Sequence, residues 1–375
     1  MAPDVNPIER ITAAPIAVEP GGVEDALARL WRDTAGAGTD ESTIRLRVLN
    51  FVAVASDDAG ARRFAAVMDT LPGRQPCRGI LAVTDAAASA VQASISAHCW
   101  HSASGARHIC SEEVTLRGAQ ERPLASAVLA LLVPELPVAL WLIGDATVEQ
   151  GLVSELLGAA DRLFIDTSTS SDVKRALHAA RRACGADGVT VVDLGWARMG
   201  VWRGLVAQFF DSDDALRALS RPQTIEIVTG GAAPSTEALL LAGWLVSRLE
   251  LAVADLTQRT DGIDATLYSA TRGVRLSVSA SGAPGAVREV RIGTEAATFT
   301  VQQHDESGHM HVRADWPDAP VHRTVAQRPE DDASLIAQAL DDADDCAVFE
   351  DAARAALALL GEPDAAATGS PAAPA

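Results

Sequence analysis

Residues 98 to 110, "HCWHSASGARHIC", set Cys99, His101, His108 and Cys110 around a Ser/Gly turn, and these are ligand types that zinc takes. A β-hairpin turning near Ser104 and Gly105 would place His101 opposite His108 and Cys99 opposite Cys110. Side chains alternate along a strand, so all four would share one face. The same geometry counts against a closed zinc site. Four residues on one face of two flat strands are too widely spread for a tight tetrahedron, and no Cys-x-x-Cys knuckle or second ligating element accompanies them. Packing of small sulfur side chains is the favoured reading, a redox-sensitive Cys99/Cys110 pair the second, and zinc the third.

Other chemistry-bearing patterns are sparser. The run "TIEIVTGGAAPSTEAL" (224 to 239) has two glycines before a helix N-terminus, where free N–H groups can hold an anion. It lacks the lysine and spacing of a P-loop, and no G-x-G-x-x-G follows any expected strand. Capping by Ser235 or Thr236, with Pro234 near the first turn, explains it more simply. No Ser-His-Asp order, G-x-S-x-G or H-E-x-x-H occurs. His304, His309 and His311 flank a hairpin turn and read as solvated. The acid clusters "PEDD" and "DDADDC" sit at helix ends or on exposed helical faces. This leaves no catalytic set, no metal site of standard form and no cofactor fingerprint.

Elements able to position such residues follow from the apolar spacing. A chain of 375 residues suggests two domains and can bury a core without staples. Its net charge of −19 argues against nucleic acid or an anionic membrane as partner. The N-terminus lacks a basic region followed by an apolar run, and no apolar segment approaches the roughly 20 residues that span a bilayer, so a cytoplasmic protein is expected. Five cysteines at irregular intervals do not form a disulfide framework.

Residues 1–20 read as a flexible N-terminus. From 21 to 196, strands that are apolar throughout alternate with amphipathic helices, which predicts an α/β domain with a parallel or mixed sheet covered by helices. Residues 197–361 read as an α+β domain. It opens with one helix beginning at Trp196, includes a nearly all-apolar helix "PSTEALLLAGWLVSRLEL", and continues into five short alternating strands forming an antiparallel meander. Two acidic helices, 331–342 and 345–360, close it. The tail 362–375 offers nothing to anchor in a core.

The runs "LPGRQPCRGILAV", "LLVPELPVALWLIGD", "VVDLGWARMGVWRGLVAQFFD" and "LLLAGWLVSRL", in this order and at these separations, resemble the OpcA family of glucose-6-phosphate dehydrogenase assembly proteins. The resemblance extends from about residue 40 to 360. Its most specific marker is D-L-x-W-A-R-x-x-x-W-R (193–203), supported by P-x-x-P-V-x-x-W (134–141) and A-G-W-L-x-S-R-L (242–249).

The resemblance implies a non-catalytic partner of glucose-6-phosphate dehydrogenase that promotes its active oligomer in the oxidative pentose phosphate pathway, in some lineages under redox control. The mechanism expected is preferential binding to the active conformer, which shifts its population. Trp196, Arg198, Trp202 and Arg203 are the first partner-binding candidates, since Trp and Arg are frequent hot-spot residues. The two tryptophans equally fit a buried stripe with Met199 and Phe209. Arg74 and Arg78 form a second patch, and Cys99 and Cys110 are the redox candidates. Two rival classes stay open: a sugar-phosphate or nucleotide-binding enzyme using the 229–237 loop, and a thiol redox sensor.

Overall fold

The computed structural model describes residues 10–12, 15–36, 42–45, 47–101, 107–144, 147–185, 188–269, 272–283, 285–304, 308–327, 330–341 and 346–362; side chains of 10–12, 32–36, 42–45, 98–101 and 107–110 are outside this description. The chain divides into two compact units that interleave in sequence. Unit one comprises residues 1–170, 185–192 and 331–344; unit two comprises 171–184, 193–330 and 345–375.

Ten strands form the sheet of unit one: β1 (Arg10–Thr12), β2 (Ile16–Val18), β3 (Ser42–Arg45), β4 (Leu49–Ala55), β5 (Cys77–Thr84), β6 (Gln92–His101), β7 (Arg107–Gly118), β8 (Val138–Leu142), β9 (Arg162–Ile165) and β10 (Thr190–Asp193). The order is β1-β6-β7-β5-β4-β8-β9-β10, with β2 on β6 and β3 on β7. Strands β7, β5, β4, β8 and β9 are mutually parallel, and the β6/β7 hairpin makes the sheet mixed.

The α/β expectation therefore holds. β4 is buried at every position, as the apolar run "LNFVAVA" requires of a strand covered on both faces. The helices here are α1 (Val23–Gly36), α2 (Asp58–Met68), α3 (Leu71–Arg74), α4 (Glu121–Ala130) and α5 (Gly151–Leu157). Phe51 of β4 stacks between Phe64 of α2 and Trp141 of β8 at 5.9 and 6.1 Å. Within the segment read as flexible, β1 and β2 add to β6, whose open edge offers unpaired backbone groups.

Unit two is built on an eight-stranded sheet: β11 (Thr224–Thr229), β12 (Ala252–Arg259), β13 (Gly262–Ser269), β14 (Arg272–Ala280), β15 (Val287–Gly293), β16 (Thr298–Gln303), β17 (His309–Asp315) and β18 (Val321–Ala326). Its helices are α6 (Val173–Cys184), α7 (Leu194–Arg198), α8 (Gly200–Ala207), α9 (Asp213–Leu219), α10 (Thr236–Arg248) and α12 (Cys346–Leu359), while α11 (Asp332–Asp341) belongs with unit one.

The strand-rich C-terminal part is as expected, with two differences in detail. β12 and β18 extend the meander at its edges; both are largely exposed, so neither carries the apolar alternation that marks a strand. And β11 inserts between β14 and β15, parallel to the first and antiparallel to the second. Helix α10 is buried on nearly every side, as its composition predicted. Its Gly243 meets α12 so closely that an added Cβ would lie 2.1 Å from the Ala352 carbonyl oxygen.

Candidate functional site

The 193–203 marker folds into one compact device in unit two. Asp193 is the N-cap of α7, its carboxylate accepting from the Trp196 amide at 2.6 Å. The single helix expected from Trp196 is instead two, α7 and α8, because Met199 sits at ψ near 0° and breaks the run. That break lets Arg203 fold back: its guanidinium donates to the Trp196 carbonyl at 2.6 Å and lies 3.5 Å from the centroid of the Trp196 ring. Trp196 is half-buried and meets Phe349 of α12 edge-on at 5.9 Å. Arg198 faces Glu237, in the first turn of α10, at 3.9 Å. Trp202 points inward and is 4 % exposed, so it packs the unit and offers no outer surface.

Arg74 and Arg78 separate, although they are only four residues apart. Arg74 is exposed at the end of α3. Arg78 is 2 % exposed and bonds Glu112 and Glu24 at 2.5 Å and the Leu131 carbonyl at 2.6 Å. Burial disfavours the guanidinium charge, but the carboxylates of Glu24 and Glu112 outweigh it and hold the pKa above its ordinary value. Glu112 also takes Arg47 at 3.0 Å and the Trp31 indole N–H at 3.1 Å. Arg78 thus belongs to a buried ionic core, and the surface patch at 74 and 78 reduces to Arg74.

The P-x-x-P-V-x-x-W marker is explained by Asn50. Its amide donates to the carbonyls of Val133 and Leu136 and accepts from the Val133 amide, tying down the Pro134–Pro137 turn. A further cluster gave no local sequence signal, because its members lie far apart in the chain. Arg63 of α2 bonds Asp332 at 2.5 Å and Asp166 at 2.7 Å, and sits 5.4 Å above the Trp141 ring.

Of the cysteines, the β6/β7 register opposes Cys99 to Cys110 and His101 to His108, as the hairpin geometry required. Their side chains, and residues 102–106 where the turn is expected, lie outside the described residues. Cys77 is fully buried beside Ser111, and burial pushes its thiol up to about 12. Cys184 and Cys346, at the facing ends of α6 and α12, share a side-chain hydrogen bond that raises the Cys184 thiol. This pair is 162 positions apart in sequence and carried no local signal. Among the described residues no group of three or more His, Cys, Asp or Glu is placed to hold a metal ion. His304 and His311 stack at 4.1 Å on the outer part of the sheet.

The loop 229–237 is shaped by packing. Gly230 has no room for a Cβ, which would lie 2.5 Å from the Ala283 carbonyl oxygen, and Gly231 has φ 112°. Ser235 is the N-cap of α10 and accepts from the Ala238 amide at 3.2 Å. No helix among the described residues is long and apolar enough to cross a membrane.

Comparison with known proteins agrees with the markers. Residues 68–182 match the family model described as the glucose-6-phosphate dehydrogenase subunit N-terminal domain, and residues 189–353 match the corresponding C-terminal domain. A protein of Nostoc punctiforme named OpcA is 34% identical over 53% of this chain and 42% of its own length. The one from Synechocystis sp. is 30% identical over 49% of this chain and 39% of its own. The chain thus spans less than half the length of these relatives. In fold, KijD10, a 3-ketoreductase from Actinomadura kijaniata solved with NADP and TDP-benzene, superposes with a TM-score of 0.51 at 10% identity, covering 82% of this chain and 94% of its own. With two consecutive domain matches and three sequence markers each given a place in the fold, the chain belongs to the OpcA family.

Proposed function

We propose that this protein is a non-catalytic assembly factor and allosteric activator that binds glucose-6-phosphate dehydrogenase and favours its active oligomer. The observation that carries the reading is the pair of matches to domains described as subunits of that enzyme, which together take in most of the chain.

The fold's nucleotide position supports a non-catalytic role. In doubly wound sheets a dinucleotide lies where the strand order reverses, with its pyrophosphate on the helix after the first strand. Here the order reverses between β4 and β8, and the helix after β4 is α2. Its N-terminus is filled by the chain itself: the Asp57 carboxylate accepts from the Gly60 amide at 2.7 Å, and Asp58 adds a second negative charge. Two carboxylates at that point repel a pyrophosphate.

The surface proposed for the dehydrogenase is the half-buried Trp196/Arg203 stack with Arg198, with Arg74 as a second contact. Binding the active conformer more tightly than the inactive one would shift the enzyme's population without any chemistry in this chain. The test is to mix the protein with the purified dehydrogenase of the same organism, with and without reductant, and record co-elution and rate against glucose-6-phosphate. A larger complex with raised rate or lowered half-saturation is expected. Dependence on reductant that a Cys99→Ser substitution abolishes would assign Cys99 and Cys110 a switching role, and no complex in either condition would overturn the proposal.

A further inference from the structure

The open face of the unit-two sheet carries a row of side chains whose order reads as its own complement. From edge to edge, register partners place Thr257, Asp264, Ser277, Glu226, Arg291, Thr300, Arg313 and His322 side by side, one from each of the eight strands. Directly opposed residues in a sheet project from the same face. The opposite face is apolar, with Ile225, Ile227, Leu276, Val290 and Phe299 buried, and α10 and α8 pack against the sheet. Most of the polar row faces outward, with Glu226 43% exposed, Asp264 41% and Arg291 39%, while Thr300 is buried beneath its neighbours.

The charges divide at the sheet's middle. Asp264 and Glu226 lie on one side, and Arg291, Arg313 and His322 on the other. A two-fold axis along the strands, between β11 and β15, would face the row against itself in reverse in a second copy. Glu226 then meets Arg291, Asp264 meets Arg313 and Thr257 meets His322, while Ser277 lies over the buried Thr300.

The flanking rows tolerate the same operation. On one side Thr266 meets Asp315, Arg275 meets Thr298 and Thr224 meets Gly293; on the other Arg259 meets Thr324 and Ser279 meets Gln302. No like charges are brought together in any of the three rows. Sheet twist does not spoil the fit, because rotating a saddle by half a turn about one of its straight lines returns the same saddle.

We infer that this face is an isologous interface, joining the chain to a second copy of itself through Asp264/Arg313 pairs that extend the Arg259–Asp264 and Glu226–Arg291 pairs each chain makes at 2.5 and 3.5 Å. The three rows span roughly 38 Å across eight strands and about 17 Å along them at ordinary strand spacings. That is about 650 Å² per copy, close to the roughly 800 Å² per partner of a stable interface. The depression of about 340 Å³ over β11 to β14 adds relief to the acidic half for the basic half to fill. Within one chain Thr300 Oγ1 and Arg313 Nε are buried without a hydrogen-bond partner, on the basic half of the row.

Asp264 and Arg313 provide the decisive test, since about five strand spacings, roughly 24 Å, separate them in one chain. Only a second copy brings them together. The 375-residue chain alone, without the dehydrogenase, is measured by sedimentation and light scattering at micromolar concentration, with circular dichroism to confirm folding. The expected result is a two-copy mass for the native chain. Asp264→Arg or Arg313→Asp alone should raise the dissociation constant about tenfold or more, and the double swap should restore it. A monomeric native chain, unaltered association in either single variant, or a swap that fails to restore it would overturn the inference. If the native chain is monomeric and the reversals weaken its complex with the dehydrogenase, the face belongs to that enzyme and the second-copy assignment falls. Failure of the dehydrogenase assay leaves this measurement intact, so the two proposals fail separately.

Discussion

The guanidinium of Arg203 stacks 3.5 Å from the Trp196 ring centroid while donating to the Trp196 carbonyl, so one side chain clamps both faces of the α7–α8 break. A cation over an indole contributes about 0.5–1 kcal/mol at an exposed site, and the hydrogen bond about 1 kcal/mol more. Arg203→Ala should therefore lower unfolding free energy by about 1–2 kcal/mol in denaturant titration. If the stack is the dehydrogenase contact, the same variant should weaken co-elution by more than that loss explains. Unchanged co-elution would move the contact elsewhere.

Arg78 should behave as a core residue. Removing one partner of a buried ion pair leaves the other charge uncompensated, at about 3–5 kcal/mol. Arg78→Ala should lose stability on that scale by chemical denaturation, because Glu112 is buried with it. A loss below about 1 kcal/mol, the level of an exposed pair, would contradict the buried network.

Gly243 tests the α10–α12 contact. Replacing a mid-helix glycine by alanine ordinarily gains up to about 1 kcal/mol. Here the added methyl would sit 2.1 Å from the Ala352 carbonyl oxygen and 2.8 Å from the Ala356 nitrogen, both backbone atoms that cannot swing aside. Gly243→Ala should cost about 1–3 kcal/mol, visible as a lowered melting temperature.

The Cys77 thiol should be silent. With burial pushing it up to about 12, almost no thiolate exists near neutral pH. Iodoacetamide should leave it unmodified in the native protein at pH 8 and modify it after denaturation, as read by mass spectrometry of the Cys77 peptide.

Asp331 should add an acid-labile increment to stability. Its carboxylate, bonded by the backbone amide and the side chain of Ser334 and aided by the charge of Arg74, is held below the ordinary aspartate value. A depressed carboxylate stabilises the fold above its unfolded pKa, about 3.9, and that contribution fades as pH falls through the lower native value. Asp331→Asn should lose stability at neutral pH and show a flatter acid limb in pH-dependent unfolding. An identical acid limb would refute the contribution of the Ser334 bonds to the Asp331 carboxylate.

The sequence by itself determined what depends on neighbours a few residues apart. Apolar runs such as "LNFVAVA" specified covered strands, the composition of 236–248 specified a buried helix, and the near-symmetric spacing of residues 98–110 specified the 99/110 and 101/108 register. The four family runs were legible for the same reason, as local patterns.

What only tertiary structure decided are pairings at long separation. Spacing alone could not tell exposed Arg74 from buried Arg78, since the distinction is made by Glu24 and Glu112, 54 and 34 positions away. Nor could it foresee that a break at Met199 turns Arg203 back onto Trp196, that Arg63 bridges Asp166 and Asp332, or that β11 enters the middle of the meander. That insertion alone puts Glu226 beside Arg291 and completes the charge row. Hydrophobic periodicity reports which side of an element is buried, but not which partner buries it, because the burial free energy is non-directional and the partner is chosen by packing across the whole chain.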